Sequence, residues 1–391
     1  MDAGGKIELV NALGIDLGND PETMLRRLES GEFSREKPLA ADAACCSAHD
    51  YVARVSEIDQ PTPSRFNANP EYLHEASGSA GRVIVFALRL DTFPKARDAR
   101  VMHIATDSAE VLSDLRRHML KGQACVPISG EYLSREVFDL ASRYGRDTFL
   151  AVRYLGTHRL PAMFRAKRWV ARIVGAVNRN ARHVSDRLSQ WMAGLLPGHL
   201  SKELKSVGRQ YAHHLVLKVD AEQVAFVRDY VSSAPFAADV YVRECSADQG
   251  RDLLLHRFAA AGAAMRYAVL NEDRLGELLA LDVALPRNDA NWQELVPAGL
   301  REQVAGEFLY GHFFCHVFHL DLVLKQGVDT AAFKHAMLDA FNARGAECPA
   351  EHNVGHLYEA KPALRDFYRQ LDPSNTLNPG IGMTSRNAGW E

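Results

Sequence analysis

Histidine and acidic residues cluster in two short stretches of the C-terminal part of the chain. His312 and His319 are seven residues apart, and Glu351 and His352 form a later pair within the segment Ala350–His356. Histidine and carboxylate side chains either bind a divalent metal ion or transfer a proton near neutral pH. A chain with 16 histidines brings some of them together by chance, but two such clusters favour a single polar site.

Two arginines flank a run of small residues further upstream. Arg257 and Arg266 are nine residues apart, which places them on opposite sides of a helix with about 3.6 residues per turn. The planar guanidinium group binds a carboxylate through two parallel hydrogen bonds. The sequence alone does not separate this role from an ordinary surface ion pair.

Composition limits the classes of protein to which the chain can belong. With 391 residues, 47% of them apolar, the chain is long enough for two or three domains. Its net charge of −3 does not suggest a nucleic-acid-binding protein. The six cysteines form no C-x-x-C pair, and this scattered arrangement indicates reduced cytoplasmic thiols. We expect no signal peptide, because the first residues lack an apolar stretch, and the chain contains no apolar run of about 18 residues. We therefore expect a protein that is soluble or lies on a membrane surface.

Local patterns predict alternating strands and helices. A helix is expected over residues 108–121 with Ser108 as its cap, and residues 375–382 are too rich in turn residues to form a helix. Strands are expected where apolar and β-branched residues follow turn signals, at residues 7–15, 78–90 (a Gly turn leading into a buried strand), 101–105, 214–219, 240–243 and 266–269.

The segment from His158 to Gln210 is strongly basic. It contains only two acidic residues, Asp186 and Glu203, against eleven cations interleaved with Trp169, Trp191 and aliphatic residues: Arg159, Arg165, Lys167, Arg168, Arg172, Arg179, Arg182, Arg187, Lys202, Lys205 and Arg209. Three interpretations are open, namely a solvated surface helix, a single-stranded nucleic-acid site and an interfacial helix on anionic lipid.

Three segments resemble the quinone-dependent (NAD-independent) respiratory D-lactate dehydrogenases of bacteria, which are FAD-linked peripheral membrane flavoproteins. The segments are Pro349–Tyr358, Leu371–Gly382 and His256–Tyr267, and the resemblance extends from about Gly5 to Trp390. In this family the Gly-rich pyrophosphate loops of the flavin-binding domain come before the segment that this chain matches. We therefore expect the chain to be the C-terminal two-thirds of a longer enzyme, with the missing N-terminal FAD segment as a partner.

The resemblance implies an α+β fold. It comprises the C-terminal part of a PCMH-type (vanillyl-alcohol-oxidase-like) FAD-binding domain and a ferredoxin-like cap domain with a helical, basic membrane-binding insert. A second membrane contact is implied near residues 246–275. The implied boundaries are residues 1–92 for the FAD-binding part, 93–133 and 211–342 for the cap, 134–210 for the insert and 343–391 for the return to the FAD domain.

The resemblance also implies roles for individual residues. Flavin contacts fall on Val85 and Asn378, and Gly81 allows close approach of the backbone. Arg257 binds the substrate carboxylate, whereas Arg266 is structural. His352 is the base that accepts the proton of the substrate hydroxyl group.

A metal site is implied by related 2-hydroxy-acid dehydrogenases, in which a Gly-His-x6-His motif and a later Glu hold a divalent ion. The matching ligands are His312, His319 and Glu351, and three protein ligands leave open positions for substrate. The chain departs from that pattern, because Phe314–Val317 replaces the usual Gly-Asp-Gly-Asn. Two interpretations therefore remain: a metal site, or an apolar pocket in which the two histidines only form hydrogen bonds.

The implied reaction is the oxidation of D-lactate to pyruvate by FAD, followed by electron transfer to a membrane quinone at the cytoplasmic face of the inner membrane. The membrane-binding insert of the family falls at the basic segment, which favours the interpretation that this segment binds an anionic phospholipid surface. No nucleic-acid partner is expected. The alternative is a catalytically inert, membrane-associated fragment or one piece of a split flavoenzyme.

Overall fold

The computed structural model describes residues 7–34, 50–76, 78, 80–90, 92, 95–159, 161, 162, 165, 169, 183–233 and 237–391. These residues form two compact units. The larger unit comprises residues 51–66 and 96–351, and the smaller unit comprises residues 1–50, 67–95 and 352–391. The fold is a mixture of helix and sheet, which confirms the predicted α+β class. The finer division into a cap and an insert stays a prediction.

The larger unit is built on a seven-stranded sheet with the strand order β4-β1-β3-β2-β6-β7-β5. Every neighbouring pair is antiparallel. The strands are Ala99–Thr106 (β1), Ser129–Ser134 (β2), His213–Asp220 (β3), Val240–Glu244 (β4), Leu275–Ala284 (β5), Val304–His312 (β6) and Val317–Lys325 (β7).

Helices pack around this sheet, and two further helices, α1 and α12, lie in the smaller unit. Among the described residues no helix is both long and apolar enough to cross a membrane. The α-helices are Pro21–Ser30 (α1), Tyr51–Ser56 (α2), Ala109–Leu120 (α3), Arg135–Tyr144 (α4), Arg146–Leu155 (α5), Val184–Leu195 (α6), Lys202–Gln210 (α7), Val224–Ser233 (α8), Ala247–Leu270 (α9), Ala298–Arg301 (α10), Thr330–Ala343 (α11) and Pro362–Leu371 (α12). Short 3₁₀ turns include Phe313–Cys315 and Ile381–Met383.

One face of the sheet carries a core formed with α4, α5, α7 and α9. Phe138 and Phe149 are fully buried in it, together with Leu253 and Val216. Full burial of such a side chain contributes about 1.5–3 kcal/mol each. This packing fixes α9 across the sheet and so determines where its arginines point.

Helix α9 extends through residues 266–269, so the strand predicted there is wrong. Ser246 and Gln249 form a reciprocal capping box that starts the helix, because each side chain accepts a hydrogen bond from the other's backbone N–H. The following run is rich in alanine, the strongest helix former, and its buried alanines allow close packing on α4. Local propensity and packing together outweigh the strand preference of Tyr267 and Val269 at the end of the run.

Several other predicted elements are confirmed. Strands β1, β3 and β4 cover the predicted residues 101–105, 214–219 and 240–243. Helix α3 follows Ser108, which occupies the N-cap position without a side-chain cap hydrogen bond. The smaller unit contains the turns predicted at residues 375–382, where Asn375 donates hydrogen bonds of 2.8 Å to the carbonyl groups of Ser385 and Asn387.

The strands predicted at residues 7–15 and 78–90 are wrong. Both segments lie in the smaller unit, whose described residues form no β-ladder beyond an isolated bridge between Val354 and Tyr358. A strand requires a neighbour to satisfy its N–H and C=O groups. Ile84 and Phe86 are accordingly exposed rather than buried.

Candidate functional site

The β6–β7 hairpin of the larger unit positions the two predicted metal-binding histidines. Tyr310 is paired with His319, and His312 lies two residues after Tyr310 on β6. Because side chains alternate along a strand, all three point to the same face of the sheet. The imidazole centroids of His312 and His319 are 5.7 Å apart.

The turn of this hairpin contains the Phe314–Val317 replacement noted in the sequence. His316 adopts the left-handed conformation (φ 53°), and the turn is buried. Its carbonyl groups are nevertheless satisfied, because Ser64 Oγ donates to Cys315 O (3.0 Å) and Arg116 Nε donates to Phe314 O (3.0 Å). The altered sequence therefore builds a packed turn and leaves both histidines in place.

Glu351 completes the predicted triad. Its backbone N–H donates to Asp282 Oδ2 (2.7 Å), and its Oε1 lies 3.7 Å from His312 Nε2. One ligand atom from each of His312, His319 and Glu351 lies within 4.8 Å of the other two. Residues separated by up to 39 positions in sequence are thus brought together in the geometry that a small cation requires.

Two carboxylates that the sequence reading missed support the histidines. His312 Nδ1 lies 3.1 Å from Glu131 Oε1, and His319 Nδ1 lies 3.5 Å from Asp282 Oδ1. Metal-binding histidines usually present their second ring nitrogen to such a carboxylate. Because the Glu131 contact is a hydrogen bond, Nε2 is the nitrogen of His312 that is left to bind an ion.

Arg65, also missed, holds the carboxylate of Glu351. Its Nη2 donates a 2.6 Å hydrogen bond to Glu351 Oε1. Burial alone would raise the pKa of Glu351, but the charge and hydrogen bond of Arg65 outweigh it, so the pKa is lowered. Glu351 is therefore ionised at neutral pH.

Burial also sets the protonation of the other site residues. It lowers the pKa of His319 to about 4, with further contributions from Arg257 and His312, so the ring is neutral at pH 7. For Glu131, burial raises the pKa, but the hydrogen bond with His312 and the charge of Arg257 lower it by more. The site thus combines a neutral imidazole with ionised carboxylates, the forms that bind divalent metals.

Arg257 lies on α9 at the edge of this cluster. Its Nε is 3.1 Å from Glu131 Oε2, but the N–H does not point at that oxygen, so the contact is an ion pair rather than a hydrogen bond. Its guanidinium group lies 4.6 Å from the centroid of the Tyr310 ring. Arg266 instead forms a two-pronged ion pair with Asp147 (2.6 and 2.8 Å), consistent with the predicted structural role.

Beneath Arg257, Tyr310 and Asp321 form a buried pair. The Tyr310 hydroxyl group donates to Asp321 Oδ2 at 3.0 Å. Burial raises the pKa of Asp321 to about 6, against the opposing hydrogen bond from Tyr310. The pair fixes the ring on which the Arg257 guanidinium group stacks.

The remaining predicted site residues belong to the smaller unit. Gly81 adopts a left-handed conformation (φ 87°), and a Cβ there would lie 3.2 Å from the carbonyl oxygen of Leu377, the residue before Asn378. The Gly81 backbone therefore lies close to the segment that leads to Asn378. Val85 is 47% exposed, and Asn378 and His352 are also exposed. His352 follows Glu351 directly in the chain.

The basic segment is described only in part. Lys167, Arg168, Arg172, Arg179 and Arg182 lie outside the described residues. Helix α6 is described from Val184, and an apolar stripe on it faces solvent with the i, i+3, i+4, i+7 spacing of one helix face: Leu188, Trp191, Met192 and Leu195. Ala193, on another side of the helix, is buried.

Comparison with solved structures gives distant likenesses. One is p-cresol methylhydroxylase with substrate bound, at 13% identity and a TM-score of 0.40, covering 75% of this chain and 54% of that chain. Another is 4-ethylphenol oxidase from Gulosibacter chungangensis in an isoeugenol complex, at 14% identity and a TM-score of 0.39, covering 74% and 54%. Likenesses of this size do not define the fold.

Sequence comparison is far more specific. The family model described as "D-lactate dehydrogenase, membrane binding" matches residues 101–390. Proteins named quinone-dependent D-lactate dehydrogenase are 44% identical in Haemophilus influenzae, 43% in Escherichia coli and 40% in Corynebacterium glutamicum. Each match covers 99% of this chain and 68% of the relative. The chain belongs to the family of quinone-dependent D-lactate dehydrogenases.

Proposed function

We propose that this chain carries the substrate site of an FAD-dependent enzyme that oxidises D-lactate to pyruvate and delivers the electrons to a membrane quinone. The observation that carries the proposal is the convergence of Arg257 with the His312–His319–Glu351 triad on one face of the sheet, joined through Glu131. A carboxylate-binding group beside three metal-binding side chains suits a small 2-hydroxy acid, which presents a carboxylate and a hydroxyl group on adjacent carbons.

Arg257 binds the substrate carboxylate in this proposal. Its ion pair with Glu131 uses Nε, and no other described residue forms a hydrogen bond with its terminal Nη atoms. The planar edge formed by these two atoms matches the two oxygens of a carboxylate. Stacking on Tyr310 holds the plane of the guanidinium group in one orientation.

His312, His319 and Glu351 would hold a divalent cation. They fit this role because their ligand atoms lie within 4.8 Å of one another and because both imidazole Nδ1 atoms face carboxylates. An ion bound there would polarise the substrate hydroxyl group as a Lewis acid. The chain itself supplies the rigid frame, since Arg65 fixes the side chain of Glu351 and Asp282 fixes its backbone.

His352 is the proposed general base, because it is an exposed imidazole that directly follows Glu351. The substrate O–H bond breaks and its proton moves to a ring nitrogen of His352. The C2–H bond breaks and the hydrogen leaves with the bonding electron pair as a hydride, while the electron pair of the broken O–H bond forms the C2=O double bond of pyruvate. His356 has no assigned part in this step.

FAD is the proposed acceptor of that electron pair. Gly81, Val85 and Asn378 would contact it, on a PCMH-type FAD-binding fold. Two observations support this set: the Gly81 backbone packs against the segment leading to Asn378, and Val85 is exposed, with no strand partner among the described residues. When bound, FAD supplies two-electron redox chemistry that no side chain provides.

Attachment to an anionic phospholipid surface is proposed for the basic segment and α6. Trp191 is 64% exposed and Leu195 is 69% exposed, although both are large apolar residues. A solvent-facing apolar stripe beside a cluster of cations is the pattern of a helix that lies in a lipid interface. Phe258 and Met265 on α9 are also exposed and mark the proposed second contact within residues 246–275. The proposed location is the cytoplasmic face of the inner membrane.

The alternative function, an inert fragment or one piece of a split enzyme, is not favoured. The triad, Arg257 and the supporting carboxylates remain assembled with charge partners in place. A site without function has no reason to keep several partly buried charges together, since each costs free energy to bury unless it is paired.

A matched pair of substitutions tests the substrate site. Arg257→Lys should raise KM for D-lactate about tenfold or more, because a lysine cannot form the two-pronged contact and a lost charged hydrogen bond costs about 1.5–3 kcal/mol. Arg266→Lys, on the same helix but paired with Asp147, is the control and should leave KM unchanged. Equal KM values in both variants would refute the assignment of Arg257.

A further inference from the structure

Glu131 connects the two halves of the site. It lies on β2 directly opposite His312 on β6, and it is the only acidic residue of its strand. Its two oxygens have different partners: Oε1 is 3.1 Å from His312 Nδ1, and Oε2 is 3.1 Å from Arg257 Nε. One side chain, only 15% exposed, therefore contacts both a proposed metal ligand and the proposed carboxylate-binding residue.

The chemistry of a carboxylate makes the contact with His312 directional. An ionised carboxylate has only acceptor atoms, whereas a neutral imidazole has one donor and one acceptor nitrogen. His312 Nδ1 must therefore carry the hydrogen, and the lone pair must lie on Nε2. That nitrogen is the one that faces Glu351, at 3.7 Å from its Oε1.

We propose that Glu131 is a positioning residue that fixes His312 in its Nδ1–H tautomer while it serves as the counter-charge of Arg257. A single carboxylate thereby sets the direction of a metal-binding lone pair and neutralises the charge of the substrate-binding arginine beside it. The consequence for metal affinity rests on the proposed function, but the tautomer of His312 does not. Glu131 touches neither substrate nor metal in this scheme and acts through its two neighbours.

Glu131→Gln tests this role without changing the volume of the side chain. The glutamine amide can donate as well as accept, so it no longer forces the hydrogen of His312 onto Nδ1. We expect the Nε2–H tautomer to become populated, as measured by ¹⁵N chemical shifts of the imidazole ring in protein labelled at histidine. We expect the affinity for Zn²⁺, measured by competition with a chelating dye, to fall about 10- to 100-fold.

Glu307→Gln is the matched control. Glu307 lies on β6 in the same sheet, is also partly buried and also pairs with an arginine, Arg301, at 3.4 Å. None of the contacts of Glu307 involves the triad or Arg257. This variant should leave both the His312 spectrum and the Zn²⁺ affinity at their starting values, so an effect confined to Glu131→Gln is not a general effect of losing a carboxylate from the sheet.

The two readouts separate the possible failures. If the unaltered protein binds Zn²⁺ and Glu131→Gln changes neither the affinity nor the His312 tautomer, the positioning role is refuted and the metal site stands. If the unaltered protein binds no Zn²⁺ but the tautomer shifts in Glu131→Gln, the metal site falls and the positioning role is supported. If the unaltered protein binds no Zn²⁺ and the His312 tautomer is unchanged in Glu131→Gln, both the metal site and the positioning role are refuted.

Discussion

Acid should destabilise the larger unit through two buried pairs of histidines. In the first pair, His199 Nε2 lies 3.1 Å from His256 Nδ1, and His256 Nε2 donates to the carbonyl group of Phe138 at 3.0 Å. The carbonyl fixes the hydrogen of His256 on Nε2, so Nδ1 accepts from His199. His256 is therefore neutral, and its protonation would place a second hydrogen between the two rings.

The second pair repeats this arrangement. His103 Nε2 lies 3.3 Å from His214 Nδ1, and His214 Nε2 donates to the carbonyl group of Tyr211 at 3.1 Å. Burial is the main cause of a lowered pKa in all four rings. The pKa falls to about 3 for His256 and to about 4 for His199 and His214.

The sign and size of the effect follow from these values. Each folded-state pKa is below the unfolded value of about 6.5, so the unfolded chain binds more protons once the pH falls below 6.5, and stability decreases. Between pH 7 and pH 5 each such histidine removes about 2 kcal/mol from the free energy of unfolding. Three of them remove about 6 kcal/mol, a large part of the 5–15 kcal/mol that typically stabilises a folded protein.

Urea unfolding at pH 7 and pH 5, followed by circular dichroism and tryptophan fluorescence, measures this loss. In His256→Gln the difference between the two pH values should shrink by about 2 kcal/mol, whatever the absolute stability of the variant. His335→Gln is the control, because His335 is 81% exposed and should leave the difference unchanged. A pH dependence that is equal in both variants would refute the reasoning.

Three further predictions concern the proposed function. His352→Ala should lower kcat and kcat/KM together by about 10²–10⁴, whereas His356→Ala should have little effect; equal losses in steady-state kinetics would reassign the base. Changing Lys167, Arg168, Arg172 and Arg179 together to Ser, or Trp191 and Leu195 together to Gln, should release the protein from anionic vesicles in a sedimentation assay while activity with a soluble dye acceptor persists. Unchanged vesicle binding in both would exclude this anchor. His319→Ala should abolish stoichiometric Zn²⁺ binding while His335→Ala preserves it, and an equal Zn²⁺ stoichiometry in the two would remove the metal site.

The local fold could be predicted where the sequence pattern and the tertiary environment agree. Strands β1 and β3 are largely buried and have partners on both sides, whereas β4 is a partly exposed strand at the edge of the sheet; the sequence pattern identified all three. The run around Val85 has the same β-branched composition but lacks a neighbouring strand among the described residues of its unit. Residues 266–269 carry β-branched and aromatic side chains, yet the capping box at Ser246 and the alanine run decide for a helix. Whether a strand finds a neighbour and whether a helix is capped depend on residues elsewhere in the chain. The composition of a short segment therefore does not predict them.

The site was only partly visible in the sequence. The triad could be named because its residues fall into recognisable motifs, and the structure brings those residues together. Glu131, Asp282 and Arg65 were missed because each is a single charged residue far from the motifs. A signal exists for Asp282, since it lies within the apolar run Leu278–Ala284 of β5, and such a buried carboxylate needs a charged or hydrogen-bonding partner. The partners themselves become known only from the sheet order, which places β5 beside β7 and β2 beside β6.

The central claim is that this chain belongs to an enzyme that oxidises D-lactate through FAD. The most direct measurement is the visible absorbance of the protein purified with FAD, before and after anaerobic addition of D-lactate. We expect D-lactate to bleach the flavin band, L-lactate to leave it unchanged and a quinone analogue to restore it. A flavin band that dithionite bleaches but D-lactate does not would contradict the claim.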